Sequence, residues 1–423
     1  MAELTPEGGA AIRRDPVPWW AVVLVVAATF GAGMAMLVPM TYTLAVRLDQ
    51  LAPGQVGALG IVLGVGSATT LVVAPLSGIL SDRTRTRFGR RRPFTVAGLA
   101  LGLLSVAIMI AAPNVGVLTL GWVVAAAGWG TATGSIGNWQ ADRLPARQRG
   151  SVSGATGLAM QVSPVVGMLV VAPLSGRTDL AFLVPAGVAL VLVGLFVVFA
   201  PEDDTRGMTL EQERLTLRMV LRSFLFSPRA APDFAWAWLG RFVFFLGLTA
   251  TTRFTVYFIA QRLDLAVADV VGVMALVSAL SMITATFGSL GGGWLSDRLG
   301  RRRPFVFLGS LLFGAGSLVL AFAGDFTSIL IGMLISSLGI ALFSTAGQAL
   351  VLDVLPDRES QAGRYMAITL FAQKIPGVLA PLLAPLLLLV GGGEENFTVL
   401  YAASALLAVL GGGIIATRAT GVR

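Results

Sequence analysis

The sequence predicts an all-α membrane protein with twelve transmembrane helices, arranged in two six-helix halves that are related by a pseudo-twofold axis along the membrane normal. Three observations support this fold class: a composition of 56% hydrophobic and 12% charged residues, a series of long apolar runs, and an internal repeat. Soluble globular chains contain about 25% charged residues, and the mean hydropathy here is +0.83. The composition therefore indicates a chain that lies in lipid.

The apolar runs define the predicted spans. A membrane-spanning helix needs roughly 20 mostly apolar residues to cross about 30 Å of hydrocarbon, and unpaired strands would leave their backbone groups without partners in lipid. Each run is therefore predicted to be a helix. The spans, numbered 1 to 12 in chain order, are 19–46, 55–80, 93–112, 115–141, 151–174, 179–200, 233–260, 266–295, 304–323, 326–352, 361–390 and 396–417.

An internal repeat relates the first six spans to the last six. The sequence LSDRTRTRFGRRRPF at 80–94 recurs in shortened form as LSDRLGRRRPF at 295–305, at an offset of 215 residues. Because each unit has an even number of spans, both units start on the same side, which makes the repeat parallel. Offsets of 215, 211 and 212 relate further pairs: Tyr42 and Tyr257, Asp142 and Asp353, Gln161 and Gln373.

The repeat and the basic residues predict the segments and their orientation. Of the 30 Lys and Arg residues, only Arg47, Arg177 and Arg262 fall in loops opposite the termini. This bias predicts a multi-pass plasma membrane protein with both termini in the cytoplasm, and the N-terminus lacks a cleaved-signal pattern. The predicted segments are a cytoplasmic N-terminus (1–18), a first six-helix half (19–200), a linker (201–232), a second half (233–417) and a cytoplasmic tail (418–423).

The linker and the net charge of +8 have interpretations that follow from this topology. Apolar residues at helical spacing with arginines between them predict an amphipathic linker helix on the cytoplasmic membrane surface, and a solvated tether is the alternative. The positive charge is explained by topology and by attraction to anionic lipid headgroups. We therefore expect the bilayer as a partner and no nucleic acid.

Two loop motifs resemble those of a known family. The segments GILSDR at 78–83 and GWLSDRLGRR at 293–302 resemble the signature cytoplasmic loops of the major facilitator superfamily, and the two-times-six layout resembles that fold across nearly the whole chain. More narrowly, RFGRRRPF at 87–94 and the D-x-L-P motif after span 4 are similar to the sucrose carriers and the related glycoside, pentoside and hexuronide cation symporters. The resemblance implies a secondary transporter that works by alternating access on a small-molecule substrate, with sugar-like solutes as the narrower expectation.

Carboxylates at the cytoplasmic ends of the spans predict a gate. Asp82 ends span 2 beside the negative end of the helix dipole, which costs a few tenths to about 1 kcal/mol unless the carboxylate is paired. Asp142 and Asp353 are placed similarly. We expect arginine and carboxylate clusters to close the cytoplasmic face in the outward-open state; alternatively, the arginines only set topology. The candidate gate residues are Asp82, Arg83, Arg90, Asp142, Asp297, Arg298, Arg301 and Asp353.

Three cations lie within predicted spans, where an ionisable group suggests a functional site. Lys374, the only lysine in the chain, lies roughly 15 Å into span 11 at 1.5 Å per residue and is predicted to face a watery central cavity. Arg241 lies roughly 10 Å from the cytoplasmic end of span 7, and both a functional and a structural role stay open for it. Arg253, near the extracellular end, is interpreted as snorkelling to the surface.

Polar residues near mid-membrane complete the candidate substrate or coupling site. Gln373 and its repeat mate Gln161 each precede, by three residues, a proline that frees a helix carbonyl. Span 4 adds Trp129, Thr133 and Gln140 on one face, and Trp129 either stacks on a sugar ring or packs as an apolar residue. The candidate residues are Lys374, Gln373, Gln161, Trp129, Thr133, Gln140, Arg241, Tyr42 and Tyr257.

The acidic residues leave the coupling mechanism open. All 22 lie in loops or at span ends, whereas proton-coupled carriers commonly use a carboxylate within the membrane. The sucrose carriers that this chain resembles have an aspartate and an arginine within span 4, where this chain has small residues such as Ala126 and Gly137. Lys374 either carries a coupling proton that titrates during the cycle or stays charged and pairs with an anionic substrate such as a sugar acid. The two roles predict opposite pH behaviour.

The residue types that are absent argue against catalysis. The chain contains no Cys and no His, and it lacks the G-x-S-x-G elbow and a buried carboxylate pair. No cofactor, metal or nucleotide is expected. The prediction is a non-enzymatic transporter that functions as a monomer and binds a small-molecule substrate, with a coupling proton left open. An exporter of amphipathic natural products or drugs and a non-transporting membrane substrate sensor are the alternatives.

Overall fold

The computed structural model describes residues 16–419, except 175, 203, 207–227, 230, 356–361 and 392–394. Among these residues twelve helices are long and apolar enough to cross a membrane, which confirms the predicted fold class. We name them α1 to α12, so that each number matches that of the predicted span. Their bounds are α1 Trp19–Leu51, α2 Val56–Arg83, α3 Arg92–Ala111, α4 Val115–Arg143, α5 Ala146–Val171, α6 Thr178–Phe199, α7 Pro232–Thr252, α8 Val271–Leu299, α9 Arg303–Ala321, α10 Phe326–Asp353, α11 Ala362–Leu388 and α12 Phe397–Arg418.

Some predicted segments fall outside the described residues. The amphipathic helix expected in the linker 201–232 lies largely on 207–227, and the N-terminal segment and the tail are described only from 16 and up to 419. Residues 16 and 419 and the described residues of the central segment lie at the same end of the bundle, which we call the basic side; the other end is the opposite side. The basic side carries the arginine-rich loops at 84–91 and 300–302.

Helices α1 and α7 are interrupted at related places in the repeat. Within α1 a π-helical turn, Pro39–Thr43, begins at a proline that has no N–H to donate. Helix α7 ends at Thr252, and the short helix Thr255–Leu263 continues it. The hydroxyl of Thr252 donates to the carbonyl oxygen of Leu248 at 3.0 Å, a bond that competes with the regular helix pattern. The prediction of one continuous helix over 233–260 is therefore wrong at this point.

Glycines set the packing of neighbouring helices within each half. A Cβ atom at Gly98 of α3 would lie 2.7 Å from the carbonyl oxygen of Gly128 in α4. The repeat mate Gly309 of α9 has the same relation to Gly339 of α10, at 2.9 Å. Only residues without a side chain allow the two backbones to approach this closely in a membrane. Residues related by the offset of 211 therefore make the same helix–helix contact in the two halves.

The two halves meet on the opposite side of the membrane bundle. Gly64 of α2 packs against Leu382 of α11, with 2.7 Å from an ideal Cβ to the leucine side chain. Nearer the basic side this contact is lost, because a Cβ at Gly78 would meet only Asn138 of its own half, at 3.8 Å. On α5, positions 154 and 157 have no atom of the described residues within 4 Å of an ideal Cβ. At these positions an ideal Cβ would meet no described atom of the other half.

Candidate functional site

Lys374 and two glutamines lie near the middle of helices at the boundary between the halves. Lys374 and Gln373 lie on α11, which packs against α2, and Gln161 lies on α5, which packs against α8. Lys374 and Gln161 are exposed, and Gln373 is half-buried. Their side chains make no hydrogen bond or ion pair with the described residues. These polar groups are therefore available to a solute in this conformation.

The three candidates on α4 do not converge on one site. Trp129 is 1% exposed, and its indole packs against α3, where a Cβ at Gly102 would lie 2.6 Å from the ring. The Thr133 hydroxyl donates to the Trp129 carbonyl oxygen at 2.7 Å. Gln140 accepts a long hydrogen bond of 3.4 Å from Thr156. This burial favours the packing interpretation of Trp129.

The two intramembrane arginines lie on α7 and at its end. Arg241 is 1% exposed, with its Cζ 5.6 Å from the ring centre of Phe245. Arg253 caps the C-terminus of α7 on the opposite side. Its Nε is buried and has no hydrogen-bond partner among the described residues. Arg253 is half-buried and lies at the helix interruption.

Two tyrosines related by the repeat connect the halves on the opposite side. The Tyr42 hydroxyl donates to the carbonyl oxygen of Ala268 at 2.6 Å, and the Tyr257 hydroxyl donates to the carbonyl oxygen of Ala45 at 2.9 Å. Both bonds cross from one half to the other, and both tyrosines are buried. We call this pair of bonds the tyrosine latch. It joins α1 to the short helix that continues α7 and to the turn Val267–Val270 before α8, on the opposite side.

On the basic side, one arginine joins three helices of the first half. Arg91, at the N-cap of α3, pairs through Nη2 with Asp82 Oδ1 at 2.6 Å and through Nε with Asp142 Oδ2 at 2.7 Å. Its Nη1 donates to Ser81 Oγ at 2.9 Å, and Arg90 also pairs with Asp142, at 2.7 Å. Burial lowers the pKa of Arg91, but the hydrogen bonds and charges of the two carboxylates outweigh it, so the net pKa is raised. The ends of α2 and α4 are thereby tied to the start of α3.

The second half contains a related cluster. Arg302 Nη1 donates to Ser296 Oγ at 2.7 Å, and its Nε lies 3.6 Å from Asp353 Oδ2. Arg298 instead lies over the ring of Trp294, with its Cζ 5.2 Å from the ring centre. The repeat thus reproduces the arrangement of serine, arginine and carboxylate at the end of both halves.

The carboxylates pair with one arginine that the sequence suggested and with two that it did not single out: Arg90 with Asp142, Arg91 with Asp82 and Asp142, and Arg302 with Asp353. The predicted pairing of Arg83 and Arg298 with carboxylates of the gate stays a prediction. The available signal was the offset of 211, which aligns Arg91 with Arg302, but the choice among several adjacent arginines needs side-chain geometry. Arg301 is exposed, and the side chain of Asp297 lies outside the described residues. Closure of the basic side by these clusters in the outward-open state stays a prediction.

The start of the linker adds a residue that sequence reasoning missed. Glu202 packs against Gly89, which has a φ of +83° and no room for a Cβ beside the carboxylate. Burial raises the pKa of Glu202, while hydrogen bonds from the backbone N–H groups of Arg92 and Arg91 partly lower it. Thr205 donates to the Thr86 carbonyl oxygen at 3.2 Å. The linker therefore begins by docking on the 84–91 loop.

The described residues form twelve long apolar helices in two repeated halves, which the tyrosine latch joins on one side. Residues 5–168, 50–290 and 271–420 match the Major Facilitator Superfamily. The chain belongs to that family. The protein is accordingly a secondary transporter.

Solved structures support the same fold. The nucleoside transporter NupG superposes with a TM-score of 0.73 at 12% identity, covering 93% of this chain and 98% of that one. A D-xylose-proton symporter gives a TM-score of 0.73 at 16% identity, covering 96% and 99%. A bacterial homolog of the human lysosomal transporter Spinster, in an inward-facing and unoccupied conformation, gives 0.68 at 15% identity, covering 96% and 95%. At these identities the likeness concerns the fold alone.

One group of sequence relatives is more similar over a short stretch. The MdtD protein of Salmonella typhimurium, whose name refers to multidrug resistance, is 33% identical over 95 residues. The matched stretch is 22% of this chain and 19% of the relative. Several other Salmonella MdtD proteins match equally.

Proposed function

We propose that this transporter carries a sugar, a glycoside or a sugar acid across the plasma membrane, as a monomer with its basic side in the cytoplasm. The observation that carries the proposal is the set of unbonded polar groups of Lys374, Gln373 and Gln161 on helices at the boundary between the halves. A hydroxylated solute offers hydrogen-bond acceptors and donors to such groups. Structural likeness to a xylose symporter and a nucleoside transporter, both of which carry sugar-containing solutes by name, is consistent with this substrate class.

The conformation supports alternating access by a rocking movement. With the basic side in the cytoplasm, the tyrosine latch closes the extracellular side, and the positions on α2 and α5 without a described neighbour in the other half face the cytoplasm. This arrangement is inward-open. The opposite state requires the latch to break and the basic-side clusters of the two halves to approach each other. Rigid halves that rock about the central site provide this change.

Two alternative roles for Lys374 fit this scheme. As a proton site it would lose and regain its proton during each cycle, so that a pH gradient drives accumulation. As a fixed cation it would pair with a sugar acid and keep its charge throughout. The chain's acidic residues lie in loops or at helix ends, so Lys374 takes the position that an intramembrane carboxylate commonly has.

Transport assays in liposomes test the proposal. Purified protein is reconstituted, and uptake and counterflow of neutral sugars and sugar acids are measured across a range of pH for the wild type and Lys374→Gln. Loss of pH-driven accumulation with counterflow retained identifies a proton site, and loss of the acids alone identifies an anion partner. Wild-type liposomes without counterflow of any sugar or sugar acid would refute the substrate class.

A drug exporter is the second candidate, because the MdtD relatives share 33% identity over 95 residues. This candidate predicts energy-dependent movement of lipophilic dyes out of the cytoplasm-equivalent compartment and no sugar counterflow. A substrate sensor, the third alternative, binds solute without moving it. Counterflow of a labelled solute separates a carrier from a sensor, since exchange requires the site to open on both sides.

A further inference from the structure

A buried arginine in the second half has no hydrogen-bond or ion-pair partner among the described residues. Arg241 is 1% exposed and shares its helix face with Ala237 and Phe244 in the apolar core of that half. Its Nε and Nη1 donate no hydrogen bond to any described residue. The ring of Phe245 lies 5.6 Å from Cζ, a cation–π contact that replaces only part of the lost hydration. A positive charge therefore lies in an apolar core without a compensating anion among the described residues.

The chemistry of arginine makes this placement unfavourable unless an anion binds. A guanidinium stays protonated in proteins, so the group cannot remove its charge by losing a proton. Burying a charge without a partner is strongly destabilising. The ion pairs of the described residues lie in the loops and at helix ends, and none of them involves Arg241. The missing component is an acceptor with negative charge.

The repeat shows that the fold itself does not require this cation. At the offset of 215 the position of Arg241 corresponds to Val26 of α1, and at 211 the position of Gly347 corresponds to Ile136 of α4. In the second half, a Cβ at Gly347 would lie only 3.0 Å from Arg241 Nη1. The first half thus has aliphatic side chains at these two positions, and in the second half the missing side chain of Gly347 leaves room for the guanidinium of Arg241.

We propose that the guanidinium of Arg241, which packs against Gly347, binds a small anionic group, and that this group is the carboxylate of the transported solute. This inference rests on the proposed function, of which it narrows the substrate class from sugars in general to acidic solutes. The planar guanidinium matches a carboxylate geometrically, and the apolar surroundings strengthen the attraction. A free halide ion has the same charge and is the other source of such a ligand.

Equilibrium binding to the purified full-length protein tests the site. The probes are labelled galacturonate and lactate as carboxylates, labelled galactose as the neutral counterpart, and labelled chloride, all at constant ionic strength. Removing the guanidinium in Arg241→Gln is expected to weaken carboxylate binding about 30-fold or more, the usual consequence of truncating one member of a buried charged pair. Galactose binding is expected to stay within about twofold of the wild type.

Two further variants keep the test valid if Arg241→Gln does not fold. Gly347→Ala keeps the charge but places a methyl group 3.0 Å from Nη1, and is expected to weaken carboxylate binding by several-fold. The double variant Arg241→Val with Gly347→Ile copies the pair of the first half; it is expected to fold and to lose the site. Gly413→Ala on α12 is the matched control, because its Cβ would have no described atom within 4 Å.

The outcomes separate this inference from the proposed function. Carboxylate binding that depends on both positions supports the site, and chloride binding with the same dependence supports an anion site whose ligand is the halide. Carboxylate and chloride binding unchanged in all variants, or absent from the wild type, overturns it. Sugar counterflow that persists in the variants would leave the proposed function standing while the inference fails. Anion binding that depends on Arg241, without counterflow of any sugar or sugar acid, would support the inference and refute the proposed function.

Discussion

The tyrosine latch predicts how strongly the closed opposite side is favoured. Replacing Tyr42 or Tyr257 by Phe removes a hydroxyl whose hydrogen bond to the other half is 2.6 or 2.9 Å long, within the normal range for O–H donors. A net contribution of about 0.5–1.5 kcal/mol is typical of one neutral hydrogen bond. Each single variant should therefore shift the equilibrium towards the state open on the opposite side by about 2- to 12-fold. The double variant should shift it by about 5- to 150-fold.

Distances between two spin labels, measured by double electron–electron resonance, provide the assay. The chain contains no cysteine, so spin labels attach only at introduced sites, and Pro53→Cys with Leu265→Cys places one exposed label on each half of the opposite side. The double variant should increase the population of the longer distance in detergent or in lipid nanodiscs. Transport need not fall, because a moderate shift of the equilibrium can speed one step and slow another.

Tyr401→Phe is the matched control for this experiment. Tyr401 is a buried tyrosine of the second half, and its hydroxyl makes no hydrogen bond to the other half. The same chemical change there should leave the distance distribution unaltered. If the double latch variant also leaves it unaltered, or moves it towards the shorter distance, the two tyrosines do not stabilise closure and the reasoning from the hydrogen bonds is refuted.

Three further predictions concern stability and are measured by thermal or denaturant unfolding of the purified protein. Arg91→Gln should lower the free energy of unfolding by about 2–3 kcal/mol, because the arginine is largely buried between two carboxylates of which one is half-exposed. The control Arg85→Gln changes an exposed residue and should lower it by less than about 0.5 kcal/mol. Equal losses in the two variants would contradict the structural role of the cluster. Glu202 has a pKa raised above 4.5 by burial, so the folded state binds more protons than the unfolded state. Wild-type stability should therefore fall as pH rises from 4.5 through the raised pKa. The Glu202→Gln variant should lack this fall, and an identical pH profile in the two proteins would refute this role of Glu202. Gly128→Ala places a Cβ 2.5 Å from the backbone nitrogen of Gly102 and should lower the free energy of unfolding by about 1–3 kcal/mol. The control Gly134→Ala on the same helix has no described atom within 4 Å of its Cβ and should be neutral or stabilising by up to about 1 kcal/mol. A neutral Gly128→Ala would disprove the close crossing of α3 and α4.

The fold was predictable because lipid imposes few alternatives. Long apolar runs must form helices to satisfy their own backbone groups, and their order and the repeat offsets then determine which helices correspond. The glycine crossings of α3 with α4 and of α9 with α10 follow the same offset of 211. The interruption of α7 was not predictable, since no proline marks it and competing threonine hydroxyls have no pattern specific to a helix break.

The candidate site was predictable only in part. Lys374 stands out because a lone cation in an apolar run is costly whatever the fold. The sequence could not distinguish Arg91 from its basic neighbours, because adjacent arginines have the same side chain and differ only in the direction in which the folded backbone orients it. Trp129 and Tyr42 illustrate the same limit: one packs inside a half against Gly102, and the other donates across to Ala268.

By itself the sequence determined the class of environment, the number of helices, the twofold repeat and the side on which basic residues gather, because these depend on composition, length and spacing along the chain. Only the tertiary structure decided which polar groups are bonded and which are unbonded. Two tyrosines lock the halves, Arg91 ties three helices together, and Arg241 has no partner among the described residues. These roles depend on distances between residues far apart in the chain, and the packing of the twelve helices sets those distances.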